Sequence, residues 1–414
     1  MTNPKELRLK EKLELRDFKL DALLKVTQAI HAQPSEEDLM ARYVDALKVN
    51  LGIDRLVLYA ADLSGEHWQL LVAAGTEGLW PKSQPASFFE ELDLDSIGLA
   101  GAVGGDQHPS DVVVPIHQND EAIALVLAGD TTDEDRGVSP VVKHLNFLVT
   151  LTNILVVARR NTQMVARNLK QEGLRRELEL AGEMQAMLLP QSWEHVDLDV
   201  AGYYKPHTQV GGDYYDAFTT DSGKVVLCMA DVSGKGMSAA LLMSNFQAHV
   251  RALFQVETTS LSATLHILND RVMQIAQGEK YITFFAAVFD PAERTLEYVN
   301  CGHNPPLFVE GNGQDRLLEE GCVGLGMFRD IPSMNVGTVD VTASSVLCCY
   351  TDGLIEQEND LEVPFGTERL LGLLRNHQGQ SLESVHRTIV AALDAFRGEV
   401  PPLDDTAMLS CRFS

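Results

Sequence analysis

Basic residues are scarce in this chain: 33 Lys and Arg stand against 59 Asp and Glu in 414 residues, a formal charge of −26. Affinity for nucleic acid rests on clustered cations, so this balance excludes a long phosphate backbone as partner. It also sets a condition on any activity toward phosphate. An enzyme this acidic needs cations that are not side chains, and bound divalent metals are the usual solution. No cysteine precedes Cys228, and the six present (Cys228, Cys301, Cys322, Cys348, Cys349, Cys411) lack zinc-ligand spacing. Several lie in apolar runs and read as reduced core residues. The first residues, Met1-Thr2-Asn3-Pro4-Lys5-Glu6, lack the apolar centre of a secretory signal. The most apolar long segment, about Leu145 to Ala158, contains Asn146, Thr150, Thr152 and Asn153 and falls short of the ~20 residues of a membrane span. It reads as a helix packed against protein, and the expectation is a cytoplasmic protein with no membrane partner. Internal repeats and low-complexity segments are also lacking.

What is there suffices for two cores, given a hydrophobic content of 45%. Leu9, Leu13, Leu20, Leu23 and Leu24 recur with helical spacing over Pro4 to His31. Ser35-Glu36-Glu37-Asp38 resembles a capping box opening a second helix that Gly52 stops. Short β-rich runs follow at Arg55–Ala60, His67–Ala73, Asp111–Ile116 and Ile123–Ala128, an antiparallel meander. Ser139-Pro140 then starts a long helical pattern that reaches Leu189, with Gly173 as its expected break and Pro190 as its end. In it Leu174, Leu178, Ala181 and Leu188 form one seam suited to a partner helix in a homodimer, or to packing on the chain's own domain. Beyond Pro190 strands are expected at Asp199–Lys205, Lys224–Ala230, Ile282–Phe289, Thr295–Asn300, Val346–Tyr350 and Thr406–Cys411. Helices are expected at Ser238–Phe254, Ser262–Ala276, Thr367–Leu374 and Leu382–Phe396. The division is therefore an N-terminal helix (1–34), a sensor-type α/β domain (35–158), a linker or switch helix (159–190) and a second α/β domain (191–414).

The chemistry lies in four acidic motifs: Gly211-Gly212-Asp213-Tyr214-Tyr215-Asp216, Asp231-Val232-Ser233-Gly234-Lys235-Gly236, Tyr350-Thr351-Asp352-Gly353 and Asp404-Asp405-Thr406. Singly, Asp-Gly and Asp-Asp pairs are commonest at turns. Together, and three of them beside apolar strands, they describe carboxylates held at sheet ends, a cage that is costly unless a cation neutralises it. Oxygen-only ligation suits Mg²⁺ or Mn²⁺ rather than zinc, and the adjoining glycines let backbone carbonyls approach an ion.

In order, GGDYYD, ADVSGKG, CGHNPP, YTDGLIE, FGTERL and DDTAML closely resemble PPM-type metal-dependent Ser/Thr phosphatases of the bacterial SpoIIE/RsbU-like branch, over about Leu178 to Cys411. The resemblance implies an α-β-β-α sandwich with two metal ions and a bridging water that attacks phosphoserine or phosphothreonine in line. Carried over by motif, Asp231 bridges both ions and Val232 offers its carbonyl. Asp213 sits on one ion, while Asp352 and Asp404 hold the other. Ser233 stands where a histidine often follows in the wider superfamily, so a general acid is in doubt. Lys235 and His303 are candidates, and His303, in a Gly/Pro-rich turn, reads better as a residue satisfying backbone groups. Ala407 stands where close relatives often have Thr.

ELELAGEMQAMLLP, Glu177 to Pro190, also resembles this branch, where such a helix joins an input domain to the phosphatase. The first half, about Phe18 to Ala158, resembles a GAF domain; Trp68, Trp80, Phe88 and Phe89 read as aromatic core or as a pocket lining. The substrate implied is a phosphorylated regulatory protein, such as a STAS-type anti-sigma-factor antagonist. Two other readings remain. A nucleotide cyclase would use Gly211-Gly212-Asp213, but Tyr214 stands where its pattern has Glu and the later motifs go unused. A silent adaptor would bind a phosphoprotein without hydrolysing it.

Overall fold

The computed structural model describes residues 4–31, 36–76, 80–89, 94–99, 112–119, 121–129, 139–190, 192–193, 198–256, 259–310 and 315–413. Ser35 and Asp111, named above in a cap and a strand, lie outside them. The chain divides into two units, Met1–Glu172 and Gly173–Ser414.

In the first unit, α1 (Pro4–His31) and α2 (Glu36–Leu51) precede β1 (Arg55–Ala61), β2 (His67–Ala74), β3 (Ser83–Pro85), β4 (Gly98–Leu99), β5 (Val112–Gln118) and β6 (Glu121–Gly129). The strands form one antiparallel sheet in the order β3-β2-β1-β6-β5-β4. Both faces of β1 are covered, which is why it reads as an unbroken apolar run. Leu56 and Leu58 meet the helices through Tyr43, Leu47, Leu148 and Leu151, whereas Val57 and Tyr59 join Trp68, Phe89 and Leu125 on the other face. Phe89 packs edge to face against Tyr59 at 5.2 Å between ring centres, and Trp80 lies 6.4 Å from Tyr59. These rings are core, with Phe88 at its exposed rim.

Helix α3 (Pro140–Ala186) follows, its first turn capped by Ser139 Oγ, which accepts the Val141 N–H at 3.2 Å. The expected break at Gly173 is not there. A glycine costs a helix only about 1 kcal/mol against alanine, too little to interrupt a helix of this length. α3 includes a stretch of mean hydropathy 1.7, long and apolar enough to cross a membrane by length and composition, and 44% of that stretch is buried inside the protein. Leu148, Leu151 and Leu155 in α3 are wholly enclosed, and buried Thr152 bonds Tyr43 of α2 at 2.6 Å.

The second unit contains β7 (Asp199–Lys205), β8 (Tyr214–Thr219), β9 (Val225–Val232), α4 (Met237–Gln255), α5 (Leu261–Ala276), β10 (Ile282–Asp290) and β11 (Thr295–Cys301). There follow β12 (Leu307–Val309), β13 (Asp315–Leu317), β14 (Gly321–Cys322), β15 (Gly337–Asp340), β16 (Val346–Tyr350), α6 (Asp352–Ile355), α7 (Thr367–Asn376), α8 (Leu382–Arg397) and β17 (Thr406–Arg412). One sheet has the order β14-β11-β10-β9-β8 with β15 beside β11; the other is β13-β12-β16-β17-β7. Phe289, Phe308 and Phe413 meet between the sheets, α4 covers the first through Phe246 on Phe284, and α7 and α8 cover the second through Leu370, Leu374, Ile389 and Leu393. This is the α-β-β-α sandwich expected.

The main unforeseen strand is β8. Its alternate residues Tyr214, Asp216 and Phe218 face the helices, and an acid in the middle disguises the pattern. Asp216 is wholly buried because Arg251 of α4 grips it with two bonds, at 2.6 and 2.7 Å, and Tyr214 donates a third at 2.7 Å. A buried carboxylate is tolerable when so paired.

Candidate metal centre

The antiparallel ladder sets Tyr214 opposite Ala230 and Thr283 opposite Asp231, which brings Asp213, just before β8, to the side of Asp231 in β9. From the other sheet, β16 leads into Asp352 at the start of α6, and Asp404 lies two residues before β17. The four aspartates thus come from adjoining ends of both sheets. Their mutual influence is plain in their acidity. Burial, then the charges of Asp352 and Asp404, push the Asp231 carboxyl up to about 7. Burial, then Asp231 and Asp405, hold Asp213 well above the usual carboxylate range, and burial with Asp404 and Glu356 raises Asp352.

Asp213 is 2% exposed, and its Oδ2 has no hydrogen-bond partner. A buried, unpaired carboxylate oxygen among like charges is costly unless a cation meets it. A side chain on Gly212 would fill the space beside it: a Cβ there would lie 3.1 Å from the Val232 carbonyl oxygen and 3.4 Å from Asp231 Oδ1. Hard oxygen donors and a glycine cradle fit Mg²⁺ or Mn²⁺. Among the described residues, no three His, Cys, Asp or Glu side chains form a group that would hold an ion by themselves.

Several residues that frame the site escaped the sequence reading. Asp405, beside Asp404, accepts the His207 N–H at 2.7 Å and the Gly212 N–H at 2.8 Å, pinning the glycine loop to β17. Gln185 of α3, 6% exposed, grips the same loop from outside: its amide donates to the Gly211 carbonyl at 2.6 Å and accepts the Gly211 N–H at 3.1 Å. Gly182 allows that approach, because a Cβ there would collide with the Gln209 carbonyl. Of the seam Leu174, Leu178, Ala181 and Leu188, Leu178 and Ala181 are half-buried in α3, Leu188 is half-buried in the turn after it, and Leu174 is exposed. The exposed large apolar residues of the helix are Val142, Met164, Val165, Leu169, Leu174, Leu180 and Met184. Gln357, 2% exposed, donates to the carbonyls of Glu358 at 3.0 Å and Pro401 at 3.3 Å and accepts the Leu403 N–H at 3.2 Å. It braces the segments that carry Asp352 and Asp404.

Each candidate acid has another task. Lys235 Nζ lies 2.8 Å from Asp404 Oδ2 and donates to the Leu403 carbonyl at 2.7 Å, so it is neither free nor merely solvated. The Ser233 hydroxyl accepts the Tyr281 N–H at 2.9 Å. His303 is buried; its Nδ1 lies 3.0 Å from the Thr283 hydroxyl, and burial lowers the ring to about 4, leaving it neutral at pH 7. The turn's backbone is served by Asn300, whose Oδ1 accepts the His303 N–H at 2.7 Å. Ala407 is enclosed, its N–H bonded to the Thr351 hydroxyl at 2.9 Å.

Residues 221–414 match the family described as Stage II sporulation protein E (SpoIIE). The phosphoserine phosphatase RsbU of Bacillus subtilis is 30% identical over 255 residues, 60% of this chain and 73% of that protein. The phosphoserine phosphatase RsbP of the same organism is 25% identical over 226 residues, 53% of each, so the chain spans about half the length of RsbP. The solved SiaA-PP2C domain of Pseudomonas aeruginosa superposes with a TM-score of 0.53 at 22% identity, over 59% of this chain and 99% of that one, a likeness of fold. The chain belongs to the SpoIIE/RsbU-like branch of the PPM (PP2C) family.

Proposed function

We propose that this chain is a Mg²⁺- or Mn²⁺-dependent phosphatase of phosphoserine or phosphothreonine in proteins. The observation that carries the reading is the unpartnered, buried Asp213 oxygen among Asp231, Asp352 and Asp404 in a chain of this family. The naming of two relatives as phosphoserine phosphatases supports it. Asp213, Asp231 and the Val232 carbonyl would hold one ion, and Asp231, Asp352 and Asp404 the other. Bound there, two divalent ions would supply an acidified water as nucleophile and offset charge on the phosphoryl oxygens. The chain's own part is positioning: Asp405 fixes the Gly211-Gly212 loop, Gln357 spaces Asp352 from Asp404, and Lys235 orients Asp404.

The first unit, a GAF-like antiparallel sheet with helices, would serve as the sensor within the fourfold division given above. α3 would transmit its state through Gln185 and pair with its copy in a homodimer through Leu180 and Met184. A phosphorylated regulatory protein, by analogy a STAS-type antagonist of an anti-sigma factor, would be the substrate, in the cytoplasm. The test is phosphate release from a chromogenic monoester by purified protein, with Mn²⁺, without it and with chelator. Release that depends on Mn²⁺ is expected. Release unaffected by chelator would overturn the metal reading, and no release under any condition would favour the silent adaptor.

A further inference from the structure

β11 and β14 run parallel, and their register sets Cys301 directly opposite Cys322. Neighbouring strands lie ~5 Å apart, within the ~4.4–6.8 Å that a disulfide spans between Cα atoms. The two sulfurs are 3.4 Å apart, with the Cys322 thiol directed at Cys301. Cys322 is half-buried and Cys301 enclosed, so one thiol is open to a small reagent and the other waits behind it. The remaining four cysteines are all buried.

We propose that Cys301 and Cys322 form a site of reversible oxidative modification, a dithiol that a peroxide converts into an intrachain disulfide. The electrostatics favour Cys322 as the first to react: its hydrogen bond with Cys301 lowers its pKa, whereas that bond and burial push Cys301 well up. The Cys322 thiolate attacks the peroxide, an S–O bond forms, the O–O bond breaks, and protonation of the departing oxygen gives water from hydrogen peroxide. Cys301 then attacks the oxidised sulfur, an S–S bond forms, the S–O bond breaks and a second water leaves with the Cys301 proton. Two thiols and one peroxide become one disulfide and two waters.

Closing the bond draws the sulfurs together by about 1.4 Å, from 3.4 Å to the length of a disulfide. Just beyond Cys322, Leu325 exchanges two bonds of 2.8 Å with Ile282, itself opposite Val232. The dithiol is thereby connected to the strand end that bears Asp231.

The test uses the full chain, reduced and then exposed to hydrogen peroxide, with thiols counted by alkylation after denaturation. The six alkylable thiols should fall to four, with the Cys301 and Cys322 peptides joined, and return to six after a thiol reductant. Six thiols remaining, a bond between other cysteines, or Cys322 oxidised onward without a bond would overturn the proposal. In Cys301→Ala a dione probe should capture sulfenic acid at Cys322, and in Cys322→Ala the joined peptides should be lost. An uncaptured Cys322 in the first variant would contradict the order of steps. Because the readout is covalent, the outcome is independent of whether the chain hydrolyses phosphate.

Discussion

Asp213 shows in one side chain the ground for proposing a cation at this site: a buried oxygen, Oδ2, without a hydrogen-bond partner, and a like charge on Asp231 beside it. Replacing Asp231 or Asp352 by Asn should therefore abolish phosphate release by more than the ~10–100-fold typical of outer partners of a metal ligand, with the fold retained by circular dichroism. His303→Ala should cost less than ~10-fold, since its ring faces Thr283 rather than the carboxylates; an equal loss would make His303 part of the chemistry. Gln357→Glu keeps the acceptor for the Leu403 N–H but loses both donations, so it should weaken Mn²⁺ affinity by ~10–100-fold while excess Mn²⁺ restores turnover. Failure of excess metal to rescue would mean Gln357 does something other than space the ligands. The sign of the pH effect follows from the raised carboxyls. Asp231 ionises near pH 7 in the folded chain and near pH 4 unfolded, so its contribution to stability is whole below about pH 4 and lost as pH rises through about 7. Mn²⁺ replaces the proton, so the rise in Tm on adding it should grow between about pH 5 and about pH 8; a rise that shrinks over that range would refute the assignment.

At the scale of elements, α3 is the piece whose role changed most between sequence and structure. Its helical pattern was plain from spacing, but the residue that matters most to the site, Gln185, is polar and breaks no pattern. Its partner lies 26 residues away, and the partners of Asp405 lie 193 and 198 residues away. Such bonds leave no local periodicity, which is why the four acidic motifs were legible and their supports were not. β8 was hidden for a related reason, because Asp216 looks like a loop residue until Arg251 is placed on it. The very short strands β4, β12 and β14 carry too few residues to show a period at all. Gln185→Ala should cost about 1–3 kcal/mol, from the buried Gly211 groups left unpaired, and should change turnover without altering association state. Unchanged turnover with a lowered Tm would make the clamp purely structural.

At the scale of the whole molecule, the second unit brings Asp213, Asp231, Asp352 and Asp404 to adjoining ends of its two sheets. α3 runs through the boundary between the two units, so under the proposed function a signal from the first unit would have a route along the chain to the Gly211-Gly212 loop. Association through the exposed side of α3 is testable apart from that route: Leu180→Glu with Met184→Glu should lower the sedimenting mass toward one chain while sparing the Gln185 clamp. An unaltered mass would leave α3 as a connection only. The central claim, that paired divalent ions held by these aspartates carry out the hydrolysis, is tested most directly by titrating chelator-treated protein with Mn²⁺ while bound metal and phosphate release are measured together. Wild type should bind two ions per chain, with release appearing only as they fill, and Asp231→Asn should lose both. Release at zero occupancy, or an Asp231→Asn protein that fills and turns over like wild type, would contradict the account.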